Sequence, residues 1–334
     1  MPILPHLTHL PYPPTPIDPP HTDAQPAARR TAAHATHQPT DLALPARITR
    51  AASKQAYYTV RFLVDRDRML DAYRAYAYFR WVDDTLDQRM TDRAERLAFV
   101  ARQQSLVDAG YRRAQPDNLT AEERLLIDLI AGDVAGDDEA CSGLQSYIRN
   151  MMAVMAFDAN RRGQLISDCE LGEYARMLAT AVTDALHHFI GHQDTPPSST
   201  ARYLPAMGAH ITHMLRDTFE DVASGYFNVP SELLDTSGIM PGDVTSAPYC
   251  EWVRSRVELA RQYFRAGADY LDHVPSLRCR LAGCAYMARF VGVLDAIERD
   301  EYRIRPAYPE FTRTGYALRV GGSVCARALL RGQR

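Results

Sequence analysis

The fold class this sequence predicts is all-α, and three observations predict it. From about Arg50 onward, apolar residues recur at intervals of three and four, the period of a helix with one buried face. Alanine, leucine and arginine dominate that region, and strand signals are absent. The periodic stretches are separated by breaks with turn chemistry: Ala114-Gln115-Pro116-Asp117-Asn118, Asp194-Thr195-Pro196-Pro197-Ser198 and the span 229–248.

Residues 1–45 come first and are expected to be a disordered leader. They hold about half of the 21 prolines, and runs such as Pro11-Tyr12-Pro13-Pro14-Thr15-Pro16 can form neither a helix nor a central strand. His6, His9, His21, His34 and His37 are read as incidental to that leader. Helices are then predicted near 68–88, 92–110, 120–134, 141–157, 171–190, 200–224, 249–272, 276–299 and 311–330, where the three–four period is clearest. The span 229–248 contains Pro230, Pro241 and Pro248 and follows the 200–224 helix closely, as a loop at a bundle rim would. No repeat of fixed period occurs. Residues 46–334 therefore read as one all-α domain, long enough to enclose a deep cavity.

Bulk properties narrow the function. Hydrophobic content of 46% and charged content of 24% are those of a soluble globular protein. A net charge of −3, with no basic stripe interleaved with aromatics, argues against nucleic acid as a partner. Lys54 is the only lysine, a bias of composition rather than of chemistry. Cys141, Cys169, Cys250, Cys279, Cys284 and Cys325 form no C-x-x-C pair and no zinc spacing, so they are expected to be reduced and mostly buried. There is no apolar run of transmembrane length and no signal-peptide pattern, and a cytoplasmic monomer is expected.

The stretch that carries chemistry is Tyr76-Ala77-Tyr78-Phe79-Arg80-Trp81-Val82-Asp83-Asp84-Thr85-Leu86-Asp87. Asp83 and Asp87 lie one helical turn apart on one face, where like charges cost about 0.2–0.5 kcal/mol. Arg80 and Tyr76 share their stripe. The pattern recurs in Met214–Asp221, where Asp217 and Asp221 are again one turn apart and Arg216 stands beside the first. A solvated acidic surface explains either pair alone. Two such faces, each with an arginine and apolar neighbours, point to a cation. Mg²⁺ takes oxygen ligands and is usually held by one or two carboxylates together with substrate phosphates. Arg80 and Arg216 add forked donors suited to the same phosphates. The implied substrate is a diphosphate with a long hydrocarbon tail, which the apolar and aromatic remainder of the helices would enclose.

Those residues resemble the signatures of the squalene/phytoene synthase family, the head-to-head branch of the trans-prenyltransferases. Tyr76–Asp87 resembles the first signature; Leu215–Asp221, followed by Gly225 and Pro230, resembles the second. Tyr174–Thr183 is similar to the helix between them, Ala56-Tyr57-Tyr58 to an early Ser-Phe-Tyr segment, and Tyr263, Pro275, Tyr286 and Leu294–Glu298 keep family-like spacing. The resemblance covers about residues 50–330. It implies an isoprenoid-synthase-type helical bundle around a central cavity, with Mg²⁺ between the aspartate faces. It implies condensation of two farnesyl or geranylgeranyl diphosphates through a cyclopropyl diphosphate, the chemistry of carotenoid and other terpenoid biosynthesis. Carried over residue by residue, it makes Asp83, Asp87, Asp217 and Asp221 metal ligands and catalytic residues. Arg80 and Arg216 become diphosphate holders, and Tyr174, Tyr76 and Tyr57 line the reacting end. NADPH is allowed as a final reductant by the resemblance, although no nicotinamide fingerprint occurs. A greasy product implies peripheral membrane contact without an encoded anchor.

The chain departs from the family pattern at places that bear on product. His210 and His213 stand where the family usually has glutamine and asparagine. His213 is expected to act as a metal ligand, a pyrophosphate donor or a proton acceptor, and His210 as a substrate contact. Thr180 and Thr183 replace glycines of a small-residue run and are expected to reshape the cavity. Gly225-Tyr226-Phe227-Asn228-Val229-Pro230 lacks an arginine and a tyrosine of the family segment. Two further readings stand beside head-to-head coupling: a class I terpene cyclase or single-substrate prenyltransferase, and a non-catalytic lipid-binding or assembly protein. His187, His188 and His192 are read as ordinary surface or helix-end residues.

Overall fold

The computed structural model describes residues 43–135, 142–191 and 193–308. The expected leader, up to residue 42, and the expected helix 311–330 lie outside them. Eleven α-helices make up the described chain: α1 (Ala43–Ala52), α2 (Lys54–Leu63), α3 (Met69–Gln88), α4 (Arg93–Tyr111), α5 (Ala121–Val134), α6 (Gly143–Arg161), α7 (Asp168–Phe189), α8 (Leu204–Ser224), α9 (Ser231–Ser237), α10 (Ala247–Leu271) and α11 (Leu277–Arg299). Among the described residues there is no strand, only one parallel bridge joining Ile166 to Pro230.

The seven predicted helices from 68–88 to 249–272, and the eighth at 276–299, all form. Their starts are set by local chemistry. Asp92, Ser142 and Ser276 accept a backbone N–H in the first turn of α4, α6 and α11. Thr120 with Glu123, and Ser167 with Glu170, close capping boxes on α5 and α7. Gly225 ends α8 at φ 85°, a left-handed conformation that costs a glycine little. Three short helices were not read from the sequence: α1 and α2, which precede the long period, and α9, which lies inside the proline-containing span 229–248.

Each helix packs on the next around a closed circuit. From α3 the order is α5, α4, α6, α7, α8, α11 and α2, and α2 returns to α3; α10 lies along both α8 and α11. The closest approach is between α8 and α10. A Cβ on Gly208 would lie 2.9 Å from the Phe264 ring and 3.1 Å from the Ala260 carbonyl, and one on Gly267 would lie 2.6 Å from Pro205. Glycine is therefore required at both contacts to keep α8 in place.

Buried polar groups on the α3–α4–α5 side form a closed chain. Tyr78 donates to Gln103 Oε1 (3.0 Å), Gln103 donates to Glu123 Oε1 (2.9 Å), and Arg102 adds two bonds to the Glu123 carboxylate (2.8 and 2.9 Å). Burial works to raise the Glu123 pKa, but these bonds and the one from the Thr120 N–H lower it to about 2. The thiol expectation fares unevenly. Of the four described cysteines, Cys279 alone is buried and Cys169 is exposed. Cys141 and Cys325 lie outside the described residues. His187 and His188 stand in the last turn of α7, as helix-end residues, and both have partners: His187 packs between Tyr270 (3.3 Å) and the Cys279 sulfur (3.5 Å), and His188 lies against Arg68. His192 lies outside the described residues.

Candidate active site

Helices α3 and α8 carry the two acidic faces, and α6 and α7 lie between them in the circuit. On α3, Arg80 reaches Asp83 (3.3 Å) and also bonds Asp84. On α8, Arg216 grips Asp217 with two nitrogens, each at 2.6 Å, and His213 Nε2 lies 2.8 Å from the same carboxylate. Both arginines are thus engaged by the acids of their own helix. The i,i+3 and i,i+4 spacings that place Arg80 there, and the adjacency of Arg216 to Asp217, were visible in the sequence.

The link between the faces was not. Asp158 on α6 accepts a hydrogen bond from the Tyr174 hydroxyl (2.9 Å) and one from Arg161 Nε (2.7 Å). Arg161 also donates to Asn228 Oδ1 (2.8 Å), and Asn228 donates to Asp221 Oδ2 (2.7 Å). Tyr226, two residues before Asn228, donates its hydroxyl to Asp87 Oδ1 (2.9 Å). The segment after Gly225 therefore fastens to Asp87 on α3 and to Asp221 on α8. The Arg161 guanidinium lies over the rings of Tyr174, Tyr226 and Phe157, at 4.9, 5.1 and 5.6 Å from their centroids.

Sequence reasoning missed Asp158, Arg161, Tyr226 and Asn228. One signal existed for the first two: the arginine–aspartate pair three residues apart on α3 recurs, in reverse order, as Asp158 and Arg161. For Tyr226 and Asn228 the same segment was read only for what it lacked.

The charge balance of the site is unlike that of the α3–α4–α5 chain. Burial, then the neighbouring Asp87, raises the Asp83 pKa to about 6. Burial, then Asp217, raises that of Asp221 to about 7. Asp158 is raised too, by burial against the opposing pull of Arg161 and Tyr174. Asp217 goes the other way. Burial works to raise it, but Arg216 and His213 outweigh burial and hold it well below the usual carboxylate range. Each face therefore keeps a carboxylate that lacks sufficient positive charge.

The remaining candidates fall into three groups. Tyr174 is buried, and its hydroxyl is pushed up by burial and then by Asp158. His210 is buried edge-on to the Tyr174 ring at 5.0 Å between centroids, and burial holds its pKa down to about 3. Tyr76 lies within electrostatic reach of Arg80 and Tyr147. Tyr57 belongs to a separate aromatic group, stacked on Tyr73 (5.7 Å) and edge-on to Tyr58 (5.4 Å).

Among the described residues no group of three or more histidine, cysteine, aspartate or glutamate side chains is placed to hold a metal ion by itself. Thr180 donates its hydroxyl to the Arg176 carbonyl (2.9 Å), one turn back on its own helix, and Thr183 to the Arg202 carbonyl (3.4 Å), so both hydroxyls are satisfied by backbone.

With this geometry in hand, comparison with known proteins is informative. The family model described as squalene/phytoene synthase matches residues 49–314. No curated protein matches the chain. Among solved structures, a squalene synthase HpnC from Alicyclobacillus acidocaldarius is 19% identical with a TM-score of 0.61, the match covering 79% of this chain and 95% of that one. A dehydrosqualene synthase solved with a ligand is 14% identical with a TM-score of 0.64, covering 88% of this chain and 97% of that one. At such identities the two structures establish the all-α fold that they share with this chain. Among the described residues no helix is long and apolar enough to cross a membrane.

Proposed function

The chain belongs to the squalene/phytoene synthase family, and from that premise we propose that it joins two prenyl diphosphates, farnesyl or geranylgeranyl, head to head through a cyclopropyl diphosphate. The observation that carries this reading is the pair of under-neutralised acidic faces bound together by Asp158, Arg161, Tyr226 and Asn228. A structural ion pair would be balanced. Here Asp83 and Asp221 are held at about 6 and about 7 by crowding and burial, and carboxylates in that condition fit a hard cation that takes its other ligands from water and diphosphate. Mg²⁺ bound there would supply Lewis-acid stabilisation of a departing pyrophosphate.

The chain's own groups do the rest. Arg80 and Arg216 can exchange their carboxylate partners for phosphate oxygens, which the guanidinium fork matches as well. Asp158 orients the Tyr174 hydroxyl and holds it protonated, so the phenol faces the reacting carbons as a neutral dipole. The stacked Phe157 and Tyr174 rings, 5.1 Å apart, offer a π-face to an allylic cation and exclude water from it. Retention of all four aspartates weighs against a binding protein.

The test is product analysis. Protein incubated with Mg²⁺ and each diphosphate in turn, with and without NADPH, should yield a C30 or C40 hydrocarbon or the cyclopropyl diphosphate. A cyclic C15 or C20 product would transfer the chain to the cyclase reading. Folded protein that consumes neither substrate would make it a binding protein.

A further inference from the structure

Among the described residues, His210 carries a buried polar atom at the site that has no hydrogen-bond partner. It is 5% exposed, and its Nε2 atom is buried without one. A buried imidazole nitrogen left unpaired is costly, and such an atom in a native structure calls for an account of what it does. Its place is specific. The ring meets Tyr174 edge-on at 5.0 Å, and on α8 it lies one turn before His213 and two before Asp217. It therefore stands on the inward side of the helix that carries the second acidic face, beside the aromatic wall formed by Tyr174 and Phe157.

We propose that His210 takes the proton whose loss ends the reaction. The inference rests on the head-to-head reading and says what becomes of the last carbocation. The C–H bond next to the cationic carbon breaks, its electron pair becomes a new C=C bond, and the proton goes to Nε2. The products are a neutral hydrocarbon with one more double bond and an imidazolium. The imidazolium returns its proton to the released pyrophosphate or to water before the next turnover. No oxidant or reductant is needed.

The other groups at the site are less able to do this. The Tyr174 hydroxyl already carries its proton and donates it to Asp158. Asp158 is engaged by Tyr174 and Arg161, and Asp217 by Arg216 and His213. His210 in its Nδ1–H form offers a free lone pair in an apolar setting. Burial, then the proximity of His213 and Arg161, keeps the ring neutral at working pH. Neutrality matters twice: an imidazolium would repel an arriving carbocation, and only the neutral ring can accept a proton. Even a weak base suffices, because a proton beside a carbocation is far more acidic than imidazolium.

The experiment compares wild-type protein with His210→Gln and His210→Phe, each supplied with Mg²⁺ and farnesyl or geranylgeranyl diphosphate in the absence of NADPH. Products are identified by mass and ultraviolet spectrum, and released phosphate is counted after pyrophosphatase treatment. Wild type is expected to give the conjugated proton-loss hydrocarbon. Both variants should release pyrophosphate more slowly and form that hydrocarbon at a rate reduced about a hundredfold, with an alcohol or the cyclopropyl diphosphate accumulating instead. Added imidazole should restore the hydrocarbon to a His210→Ala variant. An unchanged product in the folded glutamine or phenylalanine variant overturns the inference and leaves the head-to-head reading intact. So does a folded variant that releases no pyrophosphate, since His210 would then serve ionisation. If one variant does not fold, the other decides. Wild type that makes only an alcohol or a reduced product also overturns it. Wild type that consumes no diphosphate overturns the head-to-head reading, and this inference with it.

Discussion

Helix α3 supports two polar assemblies, and they are built on opposite principles. On one side Tyr78 begins the chain through Gln103 to Glu123, in which each named donor meets an acceptor and the terminal carboxylate is held ionised, near 2. On the other, Asp83 and Asp87 share a face with too little positive charge, and Asp83 is driven up to about 6. The two assemblies use similar residues in the same helix, so residue type does not distinguish them. Balance does. The first assembly is complete within the protein and locks α3 to α4 and α5. The second leaves acidic groups under-neutralised within the protein, as the proposed binding of a cation and diphosphate requires.

The comparison is sharpest if one carboxylate is removed from each side. Asp83→Ala or Asp217→Ala should lower turnover of the prenyl diphosphate by about a thousandfold, as loss of a group that stabilises developing charge does, while in Asp83→Ala the melting temperature stays the same or rises. Full activity in either variant would sink the metal assignment. Glu123→Ala should do the reverse. Opening that buried network should cost about 2–3 kcal/mol in urea unfolding, with the rate per folded molecule unchanged. An Asp83 variant that unfolds as readily as the Glu123 variant would show that the two assemblies are not different in kind.

The smallest effect is in the pH dependence of stability without metal, where the signs are opposite. Asp83 and Asp221 have folded pKa values above the ordinary 3.8, so they bind protons more tightly when folded. Their contribution is greatest below about pH 4 and is lost as pH rises towards about 7. Glu123 lies below its ordinary 4.5, so its contribution is present above pH 4.5 and is lost as pH falls towards about 2. Urea midpoints measured from pH 3 to 8 should show the neutral-side decline flattened in Asp83→Asn with Asp221→Asn, and the acid-side decline flattened in Glu123→Gln. Equal slopes in variants and wild type would remove the physical basis of the contrast.

The parts of this molecule that were legible in its sequence are those encoded locally. Periodicity marked the long helices because each buries one face, and the DxxxD spacing placed each carboxylate pair on one side of one helix. The capping boxes at Thr120 and Ser167 fixed where two of those helices begin. The short helices were illegible for the same reason: α1, α2 and α9 span ten residues or fewer, too short for a period to stand out. What joins one acidic helix to the other lay beyond local reading, since nothing near Tyr226 announces Asp87. The hydroxyls of Thr180 and Thr183 were illegible in the same way. A position in a chain states which residue is there, but whether its hydroxyl turns to a substrate or to a carbonyl is decided by packing.

The bonds that fasten the site also govern when it can exist. Tyr226 and Asp87 are 139 residues apart, and Arg161 and Asn228 are 67 apart. Helices such as α3 and α6 can form as soon as their own residues leave the ribosome, because their bonds are local. The acidic assembly must wait until synthesis has passed Asn228, since before then Asp87 lacks Tyr226 and Arg161 lacks Asn228. During that interval α3 carries a row of crowded carboxylates on a nascent chain. The site is therefore a late product of folding, and the ends of a long loop must meet before any substrate can be bound.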